Sequence, residues 1–167
     1  MRTSLCSMLF NLLTGAHFRL YATGDALGNT FENDLAKLIF QAVAIANLAD
    51  NAATSPYTNL YVALHTADPG EAGDQTTSEI AYTGYARVAV VRSASGWTVT
   101  ANSVSPVAAV AFGAMTGGAG GTVTYASIGV AASGASKILV YGTVTPNISV
   151  VSGVTPSLPT TTAITFN

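Results

Sequence analysis

The amino-acid sequence predicts a mainly β fold, an antiparallel β-sandwich or jelly-roll-like domain preceded by one α-helix and an N-terminal arm. From Tyr57 onward, short runs rich in Val, Thr, Ile and Tyr alternate with Gly, Pro, Asn and Ser, a pattern typical of strands and turns. No helical segment separates these runs, so a parallel α/β sheet is not expected. The length of 167 residues is that of one domain.

Residues 1–28 are assigned to the arm, which contains an apolar run from Leu5 to Leu13. This run resembles a short signal peptide, but Thr14-Gly15-Ala16 is a poor cleavage site, and we expect the arm to be ordered by contacts with this chain or a neighbour. Apolar runs stay below the roughly 20 residues that span a bilayer. Cys6 is the only cysteine, which excludes an intrachain disulfide bond.

Residues 29–50 are predicted to form the helix. Asn29 can cap its N-terminus, with Glu32 in the capping-box position three residues later. Apolar residues recur at spacings of three and four, which places them on one helical face: Phe31, Leu35, Leu38, Ala42, Ile45 and Leu48. Other apolar residues, Phe40 and Val43 among them, widen this surface, so the helix is expected to pack on more than one side.

Residues 57–167 are assigned to the β-sandwich, which forms one globular unit with the helix. Eight runs are predicted to be strands: 59–65, 86–91, 97–101, 107–112, 122–130, 137–144, 148–151 and 162–166.

The distribution of charge predicts that the protein is not an enzyme. Charged residues make up 8% of the chain, against about 25% in ordinary soluble domains. All acidic residues precede residue 80, and Lys137 is the only charged residue after Arg92. A glycosidase needs paired carboxylates, which this half lacks. We therefore predict no catalytic, cofactor-binding or metal-binding residues, and no cofactor.

Low charge also favours a component of an assembly, because a lone monomer needs charges to stay soluble. The six basic residues are dispersed along the sequence. We therefore expect no nucleic acid and no membrane among its partners, since both kinds of surface attract clustered cations.

Several polar motifs were weighed as sites of chemistry. The acidic loop Asp68–Asp74 could bind a hard cation, but its spacing is not that of an EF-hand, and Pro69-Gly70 indicates a solvated turn. His65, His17 and Cys6 would each need a partner that orients them for catalysis. Asp68 follows His65 three residues on, but this spacing is common at strand ends.

Two further features have structural interpretations. The glycine cluster Gly117–Gly121 lacks the Lys-Ser/Thr ending of a phosphate-binding loop and is interpreted as a flexible loop tip. Lys137 is interpreted as a solvent-facing lysine that protects a strand edge.

Trp97 and the tyrosines could form a platform for a glycan, because aromatic faces stack on sugar rings. Core packing or a subunit interface is the favoured alternative for the tyrosines inside predicted strands, Tyr61, Tyr125 and Tyr141. Tyr82 and Tyr85, on either side of Gly84, are expected at the surface.

Three phrases carry a resemblance to a known family: Leu60-Tyr-Val-Ala-Leu-His-Thr-Ala-Asp-Pro-Gly70, Tyr82-Thr-Gly-Tyr-Ala-Arg87-Val and Gly96-Trp97. They resemble small structural proteins of tailed bacteriophages, which are labelled head decoration (cement), minor tail or tail-fibre proteins. The resemblance covers about residues 57–140. It implies a virion component without catalytic residues.

The resulting expectation is a capsid decoration protein that binds the major capsid protein on the capsid exterior, after assembly in the host cytoplasm. A homo-trimer at three-fold or quasi-three-fold positions of the capsid is expected. Its several contacts per particle would stabilise the shell, because multivalent binding multiplies modest affinities. The alternative is a minor tail or tail-fibre protein that contacts the host surface. The candidate interface residues lie in the arm and the helix: Leu5, Phe10, Phe31, Leu35, Phe40 and Val43.

Overall fold

A computed structural model describes residues 26–31, 33–35, 43–49, 57–100 and 103–165. These ranges confirm a mainly β protein built from antiparallel sheets with one short helix. Ten strands lie within them: β1 (Ala26–Leu27), β2 (Asn59–His65), β3 (Val88–Val91), β4 (Trp97–Thr100), β5 (Ser103–Pro106), β6 (Val110–Ala111), β7 (Gly121–Gly129), β8 (Ile138–Val150), β9 (Ser157–Leu158) and β10 (Ile164–Thr165).

The largest sheet has five strands in the order β1-β8-β7-β2-β3. Every neighbouring pair is antiparallel. Its central strands, β7 and β2, are rich in β-branched and aromatic residues, which pack well on a pleated surface. Their register places Val62 opposite Ile128 and Leu64 opposite Ala126, so apolar side chains gather on one face of the sheet.

Two smaller sheets supply the other side of the core. They are a three-stranded sheet in the order β10-β5-β4 and a two-stranded sheet of β6 and β9. Val62 of the large sheet belongs to the same buried cluster as Val110 of β6 and Leu158 of β9, and Trp97 of β4 and Ile164 of β10 pack against that cluster. The core therefore lies between the large sheet and the smaller ones.

The predicted strands agree best with the structure in β2, whose limits are Asn59 and His65 as predicted. Two predicted strands, 137–144 and 148–151, are one continuous strand, β8. Residues 144–147 of β8 have no paired Cα partner in β7, because the register between the two strands is irregular there. Pro146 lies in this irregular stretch, where its missing N–H removes no ladder hydrogen bond.

The helix begins as predicted but is shorter. Helical residues are described at 29–31 and 33–35, whereas 43–49 forms a turn closed by a bridge between Ile45 and Ala49. The prediction of one helix over 29–50 is therefore wrong for 43–49. Arg92, far away in sequence, donates hydrogen bonds to the carbonyl oxygens of Asn47 (3.1 Å) and Leu48 (2.6 Å), and so stabilises the turn.

The end of the predicted arm is part of the large sheet, because Ala26 and Leu27 pair with Tyr141 and Val140 of β8. The rest of the arm lies outside the described residues. Gly28, the next residue, lies so close to β8 that a Cβ atom at this position would be 2.6 Å from the carbonyl oxygen of Ile138. Within the part of the chain that is described, no helix is long and apolar enough to cross a membrane.

The six candidate interface residues do not form one described surface. Leu5, Phe10 and Phe40 lie outside the described residues. Phe31 and Leu35 are half-buried. Val43 is 48% exposed. It lies two residues before the bridge between Ile45 and Ala49, where the chain is not helical.

Candidate functional site

Arg87 is the centre of a buried group of polar side chains. Its guanidinium forms a two-pronged ion pair with Glu79, with Nε–Oε1 and Nη2–Oε2 distances of 2.7 Å. It also donates to Gln75 Oε1 (3.2 Å) and to the carbonyl oxygens of Ala131 (3.1 Å) and Gly134 (2.9 Å). Such bidentate, charge-assisted contacts are strong and directional. Arg87 therefore fastens the loop after β7 to the segment that follows β2.

Tyr85 extends this group toward β2. Its hydroxyl donates to Glu79 Oε1 (2.9 Å) and accepts the N–H of Leu64 (3.1 Å). Burial raises the pKa of Tyr85 well above its usual value, so the phenol stays neutral. The hydrogen bond and charge of Glu79 raise the pKa of Arg87, which keeps its positive charge.

His65 and Ser127 form a second part of the same group. His65 Nδ1 lies 2.8 Å from the carbonyl oxygen of Thr77, so Nδ1 carries the proton and donates. Nε2 then accepts from the Ser127 hydroxyl, 2.8 Å away, and Gln75 Nε2 donates to the same oxygen at 3.4 Å. Burial lowers the pKa of His65, which favours the neutral ring.

We call Arg87, Glu79, Gln75, Tyr85, His65 and Ser127 the Arg87 network. The contact between Ser127 and His65 has the geometry of a nucleophile and its base. Both side chains are almost completely buried, so a substrate would not reach them. The arrangement instead satisfies buried polar groups and locks two loops together.

The acidic loop uses its carboxylates to stabilise turns. Asp68 Oδ1 accepts the N–H of Gly70 at 2.8 Å, and Asp74 Oδ1 accepts the N–H of Thr76 at 2.7 Å. The Thr76 hydroxyl also donates to Asp74, and this bond lowers the pKa of the carboxyl. Within the described ranges, no group of three or more His, Cys, Asp or Glu side chains could hold a metal ion.

The glycine cluster is anchored at its first residue, because Thr83 exchanges backbone hydrogen bonds with Gly117 (2.8 Å) and with the preceding Thr116 (2.9 Å), whereas Gly118 and Ala119 are exposed. The interpretation of Lys137 as a solvent-facing residue is corrected. Lys137 does not face solvent freely, since it is half-buried and forms an ion pair with Asp34 of the short helix. The chain folds Asp34 onto the start of β8, a contact that local sequence does not reveal.

The tyrosines expected at the surface belong to the core. Tyr82 is 9% exposed, and its hydroxyl donates to the carbonyl oxygen of Gly113 at 2.9 Å. Its ring lies 5.4 Å from that of Tyr85, which stacks on Phe112 at 6.0 Å. The prediction of surface positions is therefore wrong for Tyr82 and Tyr85, because loop 80–87 folds back over the core.

A cavity of about 560 Å³ lies between the large sheet and the three-stranded sheet. We call it the Trp97 cavity. Its floor consists of buried apolar side chains: Val62, Val110, Ile128, Val140 and Leu158. Its rim consists of exposed residues from β8 and from the chain around and after β9: Thr143, Thr145, Pro146, Ser157, Pro159, Thr161 and Ala163. None of the described residues that line it is charged.

Trp97 lines this cavity and is the only tryptophan of the chain. The residue is half-buried, and its indole nitrogen is buried without a hydrogen-bond partner among the described residues. Buried donors of this kind are rare, because an unmade hydrogen bond destabilises the fold. The sequence alone indicated the aromatic residue but not the cavity, which is assembled from three sheets.

A comparison with protein families decides the relationship that the sequence suggests. The model of the family described as Podophage GP4 fiber I protein gp80 matches residues 26–165. The chain belongs to this family. It is thus a phage virion structural protein of fibre type, as the resemblance of the three sequence phrases implied. A search of curated proteins finds no match.

The family match covers nearly all of the chain, including every described strand. Of the two locations considered from the sequence, it favours the alternative, a fibre protein, over the capsid decoration protein that was expected first.

Proposed function

We propose that the protein is a component of a phage tail fibre that contacts the surface of the host cell. The observation that carries this proposal is the match over residues 26–165 to a family described as a fibre protein. The structure is compatible with it, because the described residues from 138 onward, which include β8, β9 and β10, carry no charged side chain and include many exposed residues.

We further propose that the chain acts as a homo-oligomer, most simply a trimer. Strand β1 pairs with β8 only at Tyr141 and Val140, so among the described strands the same edge of β8 is unpaired from 142 to 150. Unpaired edges readily add another strand. Val99 is 67% exposed and Val151 57% exposed, which adds apolar surface that a neighbour could cover. Sedimentation equilibrium of the purified chain would test this, and a purely monomeric chain would contradict it.

The function proposed is binding, without catalysis. The charged and titratable groups of the Arg87 network hold loops together, and the described carboxylates Asp68 and Asp74 hold turns. The test is whether the purified protein turns over a host glycan. Turnover that is lost when the exposed Glu71 is replaced by Ala would overturn this part of the proposal.

The test of the fibre assignment uses phage particles with and without the protein. We expect particles that lack it to keep wild-type heat resistance but to adsorb poorly to host cells. Quantitative mass spectrometry of purified particles should find few to some tens of copies, and labelled antibodies should bind at the tail. Hundreds of copies on the head, with early release of DNA on heating of depleted particles, would instead establish the capsid decoration role.

A further inference from the structure

We propose that Val99, on the apolar face of the three-stranded sheet β10-β5-β4, packs against Val99 of a second copy of this chain. The inference rests on the proposed homo-oligomer and deepens it, because it names the surface through which the copies meet. It follows from the residues that share each face of this sheet, from their exposure and from the absence of charge around them.

The three-stranded sheet has one apolar face and one hydroxyl-bearing face. Trp97 is paired with Pro106, and Val104 is paired with Val99 on one side and with Ile164 on the other. Residues paired across strands share a face, and so do residues two positions apart in one strand, so these five apolar residues lie together. The opposite face carries the hydroxyl side chains of β4 and β5: Thr98, Thr100, Ser103 and Ser105.

The apolar face is the one that meets the core, as is usual for an antiparallel sheet with its other face in water. Trp97 and Ile164 pack against the main buried cluster, and Pro106 is buried. Val104 is half-buried and lines the Trp97 cavity. Val99 is the exception, because 67% of its surface is exposed. The fold therefore covers this face at Trp97 and leaves it open at Val99.

Strand β4, which carries Val99, is also an edge strand, because the order of the described strands in its sheet is β10-β5-β4. Edge strands readily pair with another chain, and proteins protect them with lysine, proline, a bulge or a short length. Of these devices, β4 has only a short length, since its four residues include no lysine or proline and all pair regularly with β5. A partner can therefore reach Val99 from its open face and from the strand edge.

The absence of charge favours a second copy of the chain as this partner. No residue from 93 to 136 or from 138 to 167 is charged, so all three strands of the sheet are uncharged. A different protein is commonly recognised through complementary charges across the interface. Near a symmetry axis, by contrast, each residue meets its own counterpart, and like charges there would repel. An apolar, uncharged face that surrounds an exposed valine suits such an axis.

Two lysine variants of the full-length chain test this contact by analytical ultracentrifugation. Val99→Lys places a charge at the proposed axis, and we expect the dissociation constant of the oligomer to rise at least about a hundredfold, as for a charge buried without a partner. Thr98→Lys is the matched control, because Thr98 is the exposed neighbour on the opposite face of β4, and it should leave the dissociation constant unchanged. Circular dichroism checks that both variants are folded.

Cross-linking between identical positions tests whether the partner is a second copy. Cys6 is the only cysteine, so Cys6→Ser gives a background without thiols. In that background, Val99→Cys should be joined into covalent dimers by a short bis-maleimide reagent, because two Val99 side chains meet. Thr98→Cys should give few dimers, since its side chain points away from the proposed contact. This experiment decides the question even if Val99→Lys does not fold.

The proposal is overturned if Val99→Lys associates as strongly as the unmodified chain, if Thr98→Lys dissociates to the same extent, or if Val99→Cys gives no more dimers than Thr98→Cys. An oligomer that survives Val99→Lys would refute this contact and leave the proposed homo-oligomer intact, whereas an unmodified chain that is monomeric at every concentration would refute both. Failure of the fibre assignment is a separate outcome, since depleted particles that adsorb normally would leave the ultracentrifugation and cross-linking results unaffected.

Discussion

The Arg87 network and the Trp97 cavity use polar groups in opposite ways. In the network, Arg87 has partners on Nε, Nη1 and Nη2, and both ring nitrogens of His65 are paired. In the cavity, the lining is uncharged and the indole nitrogen of Trp97 has no partner in the described chain. The comparison shows that the charged side chains of the network stabilise the positions of loops, whereas the described lining of the cavity carries no charge.

Four of the described charged residues form two ion pairs. The ion pair of Asp34 with Lys137 joins two residues that are 103 positions apart. The ion pair of Glu79 with Arg87 is local, but Arg87 also donates to Gly134 in the loop after β7, 47 positions away. Buried ion pairs contribute little net stability, but breaking one leaves an uncompensated charge. A protein with so few charges therefore depends on these pairs more for specifying loop positions than for total stability.

The largest effect is expected when the network loses Arg87. Arg87→Met leaves the Glu79 carboxylate without its cation, and we expect the free energy of unfolding to fall by about 3–5 kcal/mol in urea titrations. Arg92→Met is the matched control, since the exposed Arg92 also donates to backbone carbonyl groups. This control variant should lower the free energy of unfolding by about 1 kcal/mol. Equal decreases in the free energy of unfolding of the two variants would show that burial of the Glu79–Arg87 ion pair does not explain the effect.

A smaller effect is expected at Gly120, beside the end of β8. Its φ is +63°, and a Cβ atom would lie 2.2 Å from the carbonyl oxygen of Val150. Gly120→Ala should therefore reduce the free energy of unfolding by about 3 kcal/mol. Gly134 has φ +71° but open space around a Cβ atom, so Gly134→Ala should cost about 1 kcal/mol. Thermal unfolding measures both, and similar values would mean that the clash is relieved by local movement.

The smallest effect is expected from protonation of His65. Its pKa is lowered in the folded protein by burial, relative to 6.5 in the unfolded chain. The unfolded chain therefore binds a proton first as pH falls, and stability is fully present above about pH 6.5 and declines below it. The melting temperature measured from pH 8 to pH 5 should show this decline, and His65→Gln should remove it above the range in which carboxylates titrate. An unchanged slope in the variant would assign the decline to other groups.

The local sequence predicted a strand correctly where the strand itself is a run rich in β-branched and aromatic residues. The alternation of Asn59-Leu-Tyr-Val-Ala-Leu-His65 predicted β2 with its correct ends, and the Val- and Thr-rich run of β7 was predicted to within one residue at each end. The short strands β1, β5 and β9 were missed, whereas the equally short β6 and β10 lie inside predicted runs. The missed strands lie outside every predicted run, so only their pairing with another strand reveals them.

Prediction failed where contacts between distant residues decide the conformation. Periodicity extended the helix through 43–49, but hydrogen bonds from Arg92 hold that stretch as a turn. The runs 137–144 and 148–151 were predicted as two strands but form one, β8, in which the irregular register opposite β7 accommodates Pro146. Tyr82 was expected at the surface because its neighbours are turn residues, and the fold of that loop buries it instead.

The sequence by itself determined the β class, the antiparallel topology and the phage structural family, because composition, alternation and short phrases are properties of neighbouring residues. Only the tertiary structure decided the Arg87 network, the pairing of Lys137 with Asp34 and the Trp97 cavity. Each of these joins residues tens of positions apart, and their distances, burial and unmade hydrogen bonds exist only after the sheets have packed together.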